Sequence, residues 1–189
     1  MLKKLAQVTL ATVLMSVFAA PNSAIALPLG EFVPVRPSPD DVYIDQRGNV
    51  IPVDEFGIPM DNPNPDAAEQ ERALPPCTPV SGVDNPHRSS TGVAASGHGW
   101  WDKGDCSSNR AVVYNCLYMQ HDDGYWYQKA CSQSKELKPG GGSSHRTVAR
   151  RDCAGTAVRQ WRNHVDVDVV GEWDTAEKPM RQAAVACVA

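Results

Sequence analysis

Beyond its N-terminus the chain has no run of 18 apolar residues, which excludes an internal membrane-spanning helix. It lacks a basic excess: the formal net charge is -4, the wrong sign for a protein that grips phosphate backbones, so no nucleic-acid partner is expected. No C-x-x-C, H-E-x-x-H or G-x-S-x-G occurs, so the common zinc, metalloprotease and serine-hydrolase signatures are missing. No segment carries a 3.6-residue apolar repeat over three turns, which removes helical bundles from consideration. Residues 27–76 contain no cysteine at all.

What is present sorts into three parts. Lys3 and Lys4 precede a largely apolar stretch over 5–20, and Ala24-Ile25-Ala26 supplies the small-x-small pattern of a signal-peptidase site. Residues 1–26 are therefore expected to be a signal peptide cut after Ala26, with Ala24 and Ala26 as the recognised positions. No membrane span is expected after its removal, and the localisation implied is secreted and extracellular.

Residues 27–76 hold 10 of the 15 prolines, with ten acidic residues against Arg36, Arg47 and Arg72. So proline-rich and acidic a stretch buries too little apolar surface to offset its ordering entropy. It reads as a disordered, extended linker. Within it, Asp45-Gln46-Arg47-Gly48 and Asp54-Glu55-Phe56-Gly57 each fit a tight turn, but neither has the ligand spacing of an EF-hand.

Residues 77–189 hold all six cysteines and all five tryptophans at near-neutral charge. In an exported chain an even cysteine count points to disulfides rather than zinc. Val112 to Met119 reads as a strand covered on both faces, and Asp122-Asp123-Gly124 then leads into Tyr125-Trp126-Tyr127, rich in β-formers. Asp-Gly between two such runs signals a hairpin. With Asp123-Gly124 as a two-residue loop, Asp122 faces Tyr125 and, counting outward, Cys116 faces Cys131, at bridging distance. The other expected bridges, Cys106–Cys153 and Cys77–Cys187, rest on matching strand boundaries and on tying first strand to last. His145 to Arg151 reads as a strand with Arg146 and Arg150 exposed. The alternation from His164 to Val169 puts valines inward and Asp166 and Asp168 in water, on an edge. Short strands divided by turns give an all-β fold: a small, disulfide-stapled antiparallel sandwich.

Three places invite chemistry. His121-Asp122-Asp123-Gly124-Tyr125 resembles the H-D-x-G-Y run of secreted prokaryotic phospholipases A2, which implies His121 as general base with Asp122 or Asp123 near calcium. The family's cysteine, however, stands three residues before its histidine on a helix, whereas Cys116 stands five before His121 in a strand. His98, in Gly97-His98-Gly99-Trp100-Trp101, could ligate a metal or act as a base beside a tryptophan platform. It has no second histidine at i+2 to i+4, so it reads as a loop bystander. Asp166 and Asp168 could share a cation. None of these assembles a site from sequence alone, so no catalytic residue, metal or cofactor is expected.

A broader resemblance runs from 106 to 189. Cys106, Asn109-Arg110-Ala111, Gly124-x-Trp126, Gly140-Gly141-Gly142-Ser143, Ala149-Arg150, Cys153, Trp161-Arg162 and Val165-Asp166-Val167-Asp168 resemble small secreted proteins of high-GC Gram-positive bacteria. That resemblance implies an antiparallel β-sandwich and supplies no catalytic residues. The expected function is a non-enzymatic binding or structural module for an extracellular or cell-envelope ligand. The alternative is a phospholipase A2-like hydrolase using His121.

Overall fold

The computed structural model describes residues 36–60, 75–174 and 178–189; the expected signal peptide, with Ala24 and Ala26, lies outside them. Thirteen strands and no helix are found among these residues. They are β1 Tyr43–Ile44, β2 Val50–Ile51, β3 Pro76–Cys77, β4 Val80–Val83, β5 His87–Arg88, β6 Ala94–Asp102 and β7 Ala111–Gln120. Then come β8 Trp126–Cys131, β9 Lys135–Leu137, β10 Thr147–Asp152, β11 Gly155–Val169, β12 Trp173–Asp174 and β13 Met180–Val188.

Two mainly antiparallel sheets stack into the expected sandwich. The larger runs β13-β11-β7-β8-β1-β2 with β9 also on β7, and the smaller runs β10-β6-β4 with β5 also on β6. Between them lie Val113, Leu117 and Met119 from β7, Trp161, Val165 and Val167 from β11, and Trp101 from β6. The two indoles between the sheets keep their N–H groups paired: Trp101 donates to the Leu137 carbonyl at 3.1 Å and Trp161 to the Cys187 carbonyl at 3.0 Å. Gly97 lets the sheets approach closely, because a Cβ there would lie 2.7 Å from the Asn163 side chain.

The disordered-linker expectation for 27–76 fails over residues 36–60. β1 pairs with β2 and, in parallel, with β8, setting Tyr43 opposite Trp126. This strap covers the outer face of the large sheet, where Tyr43, Ile51, Cys116, Tyr118 and Trp126 form a second core. Its two D-x-x-G sequences do make the expected turns: the Gly48 and Gly57 amides donate to the Asp45 and Asp54 carbonyls, at 3.1 and 3.0 Å. Each aspartate side chain accepts two further backbone N–H groups.

Cys116 and Cys131 are paired and bonded, with Cα atoms 4.1 Å apart. The loop between their strands is not the expected two-residue one. His121 N–H bonds to Tyr125 O, Gly124 N–H bonds to His121 O, and Gly124 has a φ of 86°. This is a three-residue loop ending in a left-handed glycine, and it shifts the register by one. A bulge between Leu117 and Tyr118 restores it before Cys116.

The other two bridges differ from expectation: Cys77 joins Cys106 and Cys153 joins Cys187. β10 runs antiparallel to β6 with Asp152 opposite Ala94, so Cys153 lies at the start of β6 while Cys106 follows its end. Nine strand residues, about 30 Å, separate them. Val80 opposite Asp102 instead brings the chain before β4 beside the chain after β6, which unites Cys77 and Cys106. Gly155 opposite Val188 does the same for Cys153 and Cys187.

β11 alternates as expected, with Val165, Val167 and Val169 buried. It is an inner strand between β13 and β7 as far as His164, beyond which the stretch with Asp166 and Asp168 pairs with β7; Asp166 is half-buried with Lys178 Nζ 3.1 Å away, not in water. On β10, Thr147 and Ala149 face inward and Arg150 outward, as the sequence indicates.

Candidate functional site

His121 lies where the hairpin turns, but its carboxylates look elsewhere. Asp122 is salt-bridged to Arg159, while Asp123 accepts the Tyr125 amide at 2.9 Å and the Tyr127 hydroxyl at 2.7 Å. The imidazole packs on Tyr127, with ring centroids 4.0 Å apart, and no hydrogen bond joins Nε2 to a partner among the described residues. Burial and the Lys129 charge push its pKa below the ordinary histidine value. The turn expected from sequence is there, and among the described residues no hydrogen bond joins the His121 ring to a carboxylate.

His98 is no loop bystander. It sits within β6 on the outward face of the small sheet, and two residues not singled out from the sequence converge on it. β4 leaves β6 at Val83 and β5 rejoins it at His87, so Asp84-Asn85-Pro86 forms a detour along the strand. Asp84 uses the detour to replace the missing ladder bond: Oδ1 accepts the His98 backbone N–H at 2.7 Å, and Oδ2 meets His98 Nδ1 at 2.5 Å. His87 stacks on His98, with centroids 5.3 Å apart and planes 25° apart, and its Nδ1 lies 3.8 Å from Asp84 Oδ2. The ligand atoms of all three residues fall within 4.8 Å of one another.

The cluster is fixed from beneath. Asn163 on β11, fully buried, donates through Nδ2 to the Asp84 carbonyl at 3.2 Å, to Asp84 Oδ1 at 3.3 Å and to the His98 carbonyl at 3.0 Å. Asn115 on β7 donates in turn to Asn163 Oδ1 at 2.9 Å. A polar chain thus crosses the sandwich from the large sheet to the outward carboxylate. Burial works to raise the Asp84 pKa, but hydrogen bonds from the His98 ring and backbone outweigh it and hold the carboxyl below its ordinary value. Side-chain exposure rises from 12% at His98 to 29% at Asp84 and 43% at His87, so the cluster opens to solvent on the His87 side.

The tryptophans beside His98 form no open platform: Trp101 is fully buried, and the Trp100 indole is held against Gly82 and Gly141. Asp166 is engaged by Lys178, whose Nζ lies 3.1 Å from Oδ2. The local signal for the cluster was Asp84-x-x-His87 around a proline, eleven residues before His98, and only the β4-β5-β6 topology turns that spacing into contact.

A second polar group lies under the strap. Arg162 donates to Asp41 Oδ2 and to the Tyr43 hydroxyl, both at 2.7 Å, and its guanidinium lies 3.9 Å from the centre of the Trp126 ring. The Tyr43 hydroxyl is 3.2 Å from His164 Nε2. These contacts seal the strap to the sheet. An open cleft of about 660 Å³, lined among others by Asp45, Arg47, Val50, Tyr114 and Gln128, flanks it. No protein-family model and no characterised protein matches the chain.

Proposed function

We propose that the protein acts outside the cytoplasm as a non-enzymatic binding module, and that the face around Asp84, His87 and His98 receives its ligand. The observation that carries this is the convergence of two imidazoles and a carboxylate on a solvent-reached sheet face, fixed from below by Asn163. Polar groups immobilised before a ligand arrives lose little freedom on binding it. Among the described residues no hydrogen bond joins the His98 or His121 side chain to a serine, threonine or cysteine side chain, the pairing a nucleophilic mechanism uses. Three disulfides suit an oxidising compartment, and no helix among the described residues is long and apolar enough to cross a membrane. The resemblance to small secreted sandwich proteins supports the same location.

The test is calorimetry of the purified protein against isolated cell-envelope polysaccharide and protein fractions. Binding by the parent that is lost on combined His87→Ala and His98→Ala substitution is the expected result. In parallel, phospholipid vesicles with and without calcium should release no fatty acid. Calcium-dependent release that disappears in His121→Ala would replace the binding reading with the hydrolase one. Protein recovered from the medium should begin at Leu27.

A further inference from the structure

The geometry points to a zinc ion as a ligand of this face, held by Asp84 Oδ2 and by ring nitrogens of His87 and His98, with a fourth position open to solvent. The inference rests on the reading of this face as the binding site. Zinc takes nitrogen and oxygen donors at about 2.0–2.2 Å in tetrahedral array, which sets donors roughly 3.3 Å apart. Asp84 Oδ2 stands 2.5 Å from His98 Nδ1 and 3.8 Å from His87 Nδ1, so the observed separations straddle that value. Small rotations of two imidazoles about their broad ring torsions bring both to it. On ligation through Nδ1 each neutral ring keeps one proton, which moves from Nδ1 to Nε2 by exchange with solvent, and His87 Nδ1 gives up its 2.8 Å contact with the Asn85 carbonyl.

The donor set selects the metal. Two imidazoles and one carboxylate suit zinc and its transition-metal neighbours, whereas calcium and magnesium prefer all-oxygen shells. Asp84 Oδ1 is already engaged by the His98 amide and Asn163, which leaves Oδ2 aimed at the imidazoles and supplies the outer hydrogen bonds that steady a metal's ligands. The fourth position, on the exposed His87 side, takes water or a donor atom from whatever the module binds.

The experiment is titration of Zn²⁺ into the purified protein, disulfides intact, at pH 7.5, followed by calorimetry and by amide NMR spectra. One equivalent should bind, with shifts confined to residues 84–88 and 96–99, and Ca²⁺ or Mg²⁺ should leave those amides unmoved. His87→Gln, at a half-exposed position, should fold as the parent and weaken uptake by at least the roughly 10–100-fold that loss of an outer partner costs. His98→Gln should do the same or more. Absence of saturable binding, or affinity unchanged in His87→Gln, would overturn the inference. If zinc fails while envelope binding still needs His87 and His98, the metal is wrong and the binding face stands. If zinc binds but no envelope component requires those residues, the proposed function falls and the metal site stands.

Discussion

His164 projects from β11 into the second core, its ring edge-on to both Tyr43 and Tyr118 at 5.4 Å between centroids. The Tyr43 hydroxyl, which accepts from Arg162, lies 3.2 Å from His164 Nε2. No hydrogen bond to Nδ1 is made among the described residues, and the side chain is buried. A second proton has nowhere favourable to go: burial first, and the Arg162 charge second, lower the pKa from 6.5 to about 3. Above pH 6.5 both folded and unfolded chains carry a neutral ring, and the fold keeps its full stability. Between 6.5 and 3 only the unfolded chain takes up the proton, so stability falls as pH falls, by about 1.4 kcal/mol per unit. At pH 5 the folded ring is still neutral, and the loss relative to pH 7.5 is about 2 kcal/mol. The measurement is confined to pH 7.5–5, above the ordinary carboxylate range at about 4, so histidines dominate the slope there. His121, whose pKa is also lowered, is separated by running His121→Gln beside the parent. Urea unfolding followed by tryptophan fluorescence at pH 7.5, 6 and 5 measures the effect, and His164→Phe should flatten the dependence. A parent equally stable at pH 7.5 and 5, or a His164→Phe variant that keeps the slope, refutes the reasoning.

Three further outcomes are expected. Gly97→Ala should destabilise by about 1–3 kcal/mol through overpacking against Asn163; urea midpoints give the cost, and the His98 amide shift reports whether Asp84 has moved. Tyr43→Ala should cost about 3–5 kcal/mol as a large buried aromatic; trypsin should then cut at Arg47 faster than it does in the parent. Replacing Cys116 and Cys131 together by serine should cost about 3 kcal/mol, the chain-entropy value for a loop of this size, with peptide mapping of the variant still returning Cys77–Cys106 and Cys153–Cys187.

The sandwich was legible wherever neighbours in sequence are neighbours in space. Alternation over β11 and the apolar run of β7 are properties of single strands, and the Cys116–Cys131 pairing needs only one hairpin. Even there the loop type was misread; one extra loop residue and one bulge offset each other, so the cysteines met regardless. The strap was illegible for a different reason. Tyr43, Ile44 and Ile51 are too few to form a core of their own, and a composition test counts only what a segment can bury by itself. They suffice because Tyr118, Trp126 and the Cys116–Cys131 bridge already offer a surface, so ordering entropy is offset by docking on a finished sheet. The cluster was hidden because His98 recruits its partners across a strand detour, and nothing local in Gly97-His98-Gly99 announces a carboxylate.

The bridges join each cysteine to the next one along the chain: 77 to 106, 116 to 131, 153 to 187. No bridge encloses or crosses another. In a chain delivered N-terminus first into an oxidising compartment, each odd-numbered thiol would meet its native partner before any later cysteine had emerged. Order of arrival alone then selects one pairing out of the fifteen that six cysteines allow. A protein wired this way can complete its covalent framework segment by segment during passage, with little call on the enzymes that reshuffle mispaired thiols.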